Sequence, residues 1–96
     1  MATKPLDWSK RALSDRDSIF TFYAESASMY VAAKARETIK SATNTICKNP
    51  LACRMGKRGT REFIMRKFPY IVIYRVYPTR VRIVRVLHQA RDYFNA

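Results

Sequence analysis

The sequence predicts an α+β domain in which a helical hairpin packs on one face of a small, mostly antiparallel sheet. Three observations carry this. Pro69 to Leu87 holds two adjacent apolar runs rich in β-branched and aromatic residues, the pattern of two paired strands. Ala32, Ala35, Ile39, Ala42 and Ile46 recur at steps of three and four, which is helical periodicity. The chain has 96 residues, room for one core that buries roughly 60–70% of the surface its unfolded form exposes. Residues 1–96 are therefore read as a single domain: an N-terminal strand, a helical hairpin, a three-stranded antiparallel sheet and a short C-terminal helix.

Residues 3–12 have a proline-containing start, at Pro5, and place Leu6 and Trp8 two apart, which suits a short edge strand. Ser14 can cap a helix whose first turn holds Asp15 and Asp17, where the helix dipole favours negative charge. That helix runs to about Ser26 with Ile19, Phe20, Tyr23 and Ala27 as its packing stripe. At this spacing Phe20, Phe22 and Tyr23 read as core rather than as a surface for stacking bases. A second helix starts at Ser26 or Ser28 and stops at Asn49-Pro50, because proline disfavours helical geometry in the residue before it. The hairpin spans 14–48.

Residues 50–59 form a basic loop with both glycines and Arg54, Lys57 and Arg58; it lacks the spacing of a phosphate-binding loop, so no nucleotide role is assigned. Residues 60–68 make a strand with Phe63 and Met65 on one face and Ile64 on the other. Pro69 separates it from the hairpin, which turns at Pro78-Thr79; Pro78 suits the first central position of a type I turn. Residues 88–95 add a helical turn or two.

The formal charge is +12, from 19 basic and 7 acidic residues, which points to an anionic partner. Met1 to Cys53 contributes eight basic and five acidic residues, whereas Arg54 to Arg91 holds eleven basic residues and one acid, Glu62. Within the strand hairpin Arg75, Arg80, Arg82 and Arg85 have no acidic neighbour in sequence. Strict alternation puts Arg82 with Val84 and Arg85 with Ile83, which leaves open which arginines face solvent. Cys47 and Cys53 are spaced outside the usual range for metal ligands and His88 is the sole histidine, so neither a metal nor a cofactor is expected. Without a signal peptide or an apolar stretch of membrane length, the reading is a cytoplasmic protein with two free thiols. A chain this small would have to conduct any chemistry in a surface groove.

Four motifs then carry a resemblance: Asn49-Pro50-Leu51 after the helix, Gly59-Thr60-Arg61-Glu62 entering a strand, Pro69 to Val76 in the next, and Val86-Leu87-His88-Gln89-Ala90-Arg91-Asp92 at the end. From Asn49 onward the chain resembles the RelE/ParE superfamily of bacterial toxins, and its ending is most similar to the ParE-like, plasmid-stabilisation branch. The resemblance implies the toxin of a type II toxin–antitoxin module, neutralised by a cognate antitoxin; the positive charge of Arg54 to Arg91 leads to the expectation that this antitoxin is acidic where it meets that surface. ParE-like members poison DNA gyrase; RelE-like members cut messenger RNA on the ribosome, using the RNA 2′-OH as nucleophile and strand cations to hold phosphate.

Aligned on Tyr70 to Tyr74, the ribonucleases' two strand lysines fall on Glu62 and Ile64 and one arginine on Ile71. Arg91 matches a basic position, and Tyr93 lies earlier than the family's tyrosine. The expectation is therefore a gyrase inhibitor without catalytic residues of its own, with Arg61, Arg75, Arg82, Arg85, His88 and Arg91 as target-binding candidates. A ribonuclease built on His88, Arg91 and Tyr93 is the alternative, since histidine is the side chain whose unperturbed titration lies near neutrality. A non-toxic nucleic-acid-binding module is a third reading.

Overall fold

The computed structural model describes residues 4–93. Strand β1 (Leu6–Trp8) leads directly into α1 (Lys10–Ser26), and α2 (Met29–Lys48) folds back against it. The sheet is completed by β2 (Arg54–Met55), β3 (Arg61–Ile64), β4 (Tyr70–Val76) and β5 (Val81–His88). Its order is β1-β5-β4-β3-β2. The three predicted strands pair antiparallel as expected, but β1 lies parallel to β5, with Leu6 opposite Val81 and Trp8 opposite Ile83. The sheet is thus five-stranded and mixed. β2 pairs Arg54 with Glu62 inside what the sequence presents as a basic loop; two residues are too short to show any periodicity.

The first helix begins four residues earlier than its expected cap. Ser9, not Ser14, is the N-cap: its Oγ accepts from the Ala12 amide at 3.0 Å and its hydroxyl donates to the Val84 carbonyl at 2.7 Å. Capping and sheet attachment thereby share one side chain, and Ala12 is fully buried as a result. Ser28 caps α2 as one of the two predicted choices, and α2 ends at Lys48, just before Asn49-Pro50.

One face of the sheet carries Tyr70, Val72, Tyr74, Val81, Ile83 and Val86, all buried against Ile19 of α1 and Ala35, Ile39, Ala42 and Ile46 of α2. Alanines on α2 let the helix lie close to the strands. Tyr23 packs edge-on against Phe68 and Tyr70, and Phe20 sits beneath Arg36; Phe22, read as core, is instead half exposed. Tyr74, the largest fully buried side chain, donates its hydroxyl to the Pro50 carbonyl at 2.7 Å, pinning the segment that leaves α2. Cys47 and Cys53 are free thiols, and burial pushes the Cys47 thiol up.

At the end of the chain His88 is the last residue of β5, and Gln89–Tyr93 forms one wide π-helical turn in place of a short α-helix. Phe94 and Asn95, included in the predicted tail helix, and Thr3 of the predicted edge strand lie outside the described residues. Among the described residues no helix is long and apolar enough to cross a membrane.

Candidate target-binding site

The side of the sheet turned away from the helices is where the charge collects. β4 and β5 pair Arg75 with Arg82, but between Ile73 and Tyr74 the register shifts, so that Arg85 faces Ile73 while Ile83 faces Tyr74. Val84 is the additional residue. This β-bulge resolves the imperfect alternation of the sequence: Arg82 and Arg85, three apart, take the same side as Arg75, and Ile83 and Val86 both take the core side.

A groove of about 250 Å³ runs along this open side. Ile73, Val84 and Leu87 form its floor, Lys57, Arg58 and Arg75 stand on its rim, and Tyr93 closes one wall. Lys57 and Arg58 come from a single 3-10 turn, Lys57–Gly59, that follows β2. Arg58 adopts φ 56° and ψ 38°, an unusual left-handed backbone for a residue with a β-carbon, and Gly59 continues it at φ 75°. Arg75 holds this conformation in place: its Nη1 donates to the Arg58 carbonyl at 2.6 Å. Among the described residues Lys57, Arg58 and Arg75 form no ion pair.

The groove's lining also includes Glu62, the sole acid of the basic half, only 4% exposed. Its Oε1 accepts from Arg54 Nε at 2.8 Å, and its Oε2 accepts from the Tyr93 hydroxyl. The carboxylate is reached because Gly56 has no side chain: a β-carbon there would come within 2.6 Å of Glu62 Oε2. The bond to Glu62, with some burial, pushes the Tyr93 phenol above its ordinary value. Lys57 lies 5.5 Å from the Tyr93 ring centre, so a cation covers the same ring.

The other predicted residues are spread around this centre. Arg61 turns to the helix side and donates Nη1 to the carbonyls of Leu51 (3.2 Å) and Cys53 (2.8 Å), fastening the loop after α2. Arg82 pairs with Asp7 of β1. Arg85 lines the groove, yet its guanidinium makes two bonds to Asp15 of α1, at 2.8 and 3.0 Å, and the same carboxylate accepts from the Val86 amide. Asp15, expected to offset the helix dipole in the first turn, instead covers the edge of β5 beyond the end of β1. That bond raises the Arg85 pKa against the opposing effect of burial.

His88 Nδ1 accepts from the amides of Ala90 and Arg91, at 3.2 and 3.1 Å, which fixes the tautomer with its proton on Nε2 and shapes the terminal turn. Arg91 pairs with Asp92 and lines a different, 100 Å³ cavity beside Ser18, Phe22 and Tyr70. Burial foremost, then a hydrogen bond with Tyr23, pushes Tyr70 up to about 12, with Arg91 opposing. Arg75, Arg85 and Tyr93 are thus brought to one groove, whereas His88 and Arg91 are not among its lining residues. Sequence reasoning missed Lys57, Arg58 and the Arg54–Glu62–Tyr93 chain. The basic loop and the isolated Glu62 were visible signals, but their convergence depends on β2, which was not.

Comparisons with known proteins bear on the family and the fold. The family described as ParE toxin of type II toxin-antitoxin system, parDE, matches residues 6–93. The chromosomal ParDE toxin–antitoxin system from P. aeruginosa superposes with a TM-score of 0.81 at 24% identity, covering 90% of this chain and 96% of that one. The E. coli DinJ-YafQ toxin–antitoxin complex gives a TM-score of 0.58 at 14% identity, covering 93% and 96%. No curated protein matches the sequence. With nearly the whole chain matched and every element of the sheet and hairpin in place, this chain belongs to the ParE toxin family of type II toxin–antitoxin systems.

Proposed function

We propose that this toxin arrests growth by binding and poisoning DNA gyrase, without catalysis of its own, and that a cognate antitoxin of acidic character neutralises it. The observation that carries the reading is the state of Glu62. It stands where the resembling ribonucleases place a phosphate-holding lysine, it is buried, and it engages Arg54 and Tyr93. A carboxylate held by Arg54 offers no cation to stabilise charge in a phosphoryl transition state, and a phenol shifted upward by it is a poorer proton donor at neutral pH. Ile64 and Ile71 occupy the other two cation positions. Purified toxin captured on a resin should retain gyrase from a defined mixture of its subunits, while ribosomes carrying a labelled message should show no new cleavage in its presence. Cleavage in the ribosomal A site with no gyrase retention would favour the ribonuclease reading.

The antitoxin has two grooves to occupy beside α2. One, of about 600 Å³, lies against β1 with Leu6, Trp8 and Ile39; the other, of about 410 Å³, runs along β3 with Ala42, Phe63 and Met65. β2 pairs only with Arg61 and Glu62, so the edge of β3 at Phe63 and Ile64 is open for strand addition. An antitoxin segment that orders on binding would lay apolar side chains along this line.

A further inference from the structure

We propose that the open groove on the sheet holds a stretch of single-stranded DNA, with phosphates against Lys57, Arg58 and Arg75 and the face of a base against Ile73, Val84 and Leu87. Two features in combination select this occupant. Three cations without carboxylate partners among the described residues converge on the rim from two segments far apart in sequence, which favours a polyanion. The floor between them is apolar and the wall is a tyrosine ring. Among nucleic acids, duplex DNA offers a protein phosphates, sugars and groove edges but keeps its base faces stacked away, whereas an unpaired strand presents charge and an apolar face together. The buried Glu62 does not oppose this, because Arg54 neutralises it and its carboxylate is engaged from within.

Arg58 supplies a further argument. A non-glycine residue in the left-handed region carries a conformational cost of the order of 1 kcal/mol or more. Here that conformation, fixed by Arg75, puts the Arg58 and Lys57 side chains on the rim. Ordinary loop closure does not require a long cation at this position, whereas a phosphate-binding rim does.

The choice of DNA over RNA rests on the gyrase reading, since gyrase acts on DNA; the groove itself is assigned independently. The test uses a fluorescein-labelled oligodeoxythymidylate of about 12 nucleotides, titrated with the antitoxin-free toxin over a range of salt and followed by anisotropy. The variant Lys57→Gln/Arg58→Asn/Arg75→Gln is compared with Lys10→Gln/Lys40→Gln/Lys48→Gln, which removes the same charge from the exposed helices. Asn tolerates the left-handed backbone at 58. Loss of three phosphate contacts should weaken binding about tenfold or more and reduce the log–log salt slope by about 2, whereas the helix variant should change the slope by less than about 1.

Because Arg75 also supports the loop, Lys57→Gln/Arg58→Asn alone should give an intermediate loss with an unchanged melting temperature. Equal effects of groove and helix variants, or equal affinity for duplex of the same length, would overturn the assignment. RNA of matching sequence bound more tightly than DNA would overturn the choice of strand. Groove substitutions that abolish antitoxin binding and spare the oligonucleotide would give the groove to an acidic protein segment instead. No gyrase enters this assay, so oligonucleotide binding with gyrase unaffected would sink the gyrase reading and leave the groove standing.

Discussion

Glu62 is a buried carboxylate held between the Arg54 guanidinium and the Tyr93 hydroxyl. It was legible as the lone acid in a basic stretch and as an obstacle to phosphate; that it is buried under Gly56 and bonded to Arg54 and Tyr93 was not, because those partners are brought in by β2 and by the terminal turn. Gly56→Ala should therefore destabilise the protein by about 1–3 kcal/mol by displacing the carboxylate, and the penalty should largely vanish in a Glu62→Ala background. Thermal melts of the four proteins in that cycle measure it, and additive penalties would contradict the contact. Tyr70 gives a pH prediction. Burial holds it neutral in the fold, with its pKa raised from 10.0 to about 12. Its contribution of about 2–3 kcal/mol is whole below pH 10 and is lost as pH rises towards 12. Denaturant midpoints across that window should fall in the parent and fall less in Tyr70→Phe.

At the scale of elements, helical spacing and β-branched runs located α2, β4 and β5 with little error, because those elements are long enough for a period to repeat. The start of α1 was misplaced because Ser9 and Ser14 are equivalent as local capping residues; what decides between them is the bond from Ser9 to Val84, 75 residues away. Asp15, expected at the helix dipole, serves the sheet through Arg85 and the Val86 amide. Asp15→Asn should cost about 2–3 kcal/mol, since it removes the ion pair to Arg85 and weakens the cover over the Val86 amide. Hydrogen exchange should then quicken at Val86, on the edge of β5, and remain slow in β4. The bulge at Val84 is a second element-level device that alternation alone could not reveal, and it is what brings Arg82 and Arg85 to the side of Arg75.

Taken whole, the molecule puts an apolar core under the helical hairpin on one side of its sheet and a basic groove on the other, so the proposed antitoxin line and the basic groove are separate surfaces. Addition of antitoxin should increase exchange protection along α2 and β3, and an unchanged pattern there would remove the proposed wrapping line. The charge imbalance and the family likeness were legible in the sequence; the separation of the two surfaces emerged only with the strand order and the bulge. The most direct measurement combines purified toxin with gyrase, ATP and relaxed plasmid and scores both supercoiling and trapped cleavage complexes. The account predicts that supercoiling falls and linear DNA accumulates in proportion to toxin, with both effects abolished by antitoxin. Undiminished supercoiling with no linear DNA, at toxin concentrations that stop growth when expressed, would contradict it.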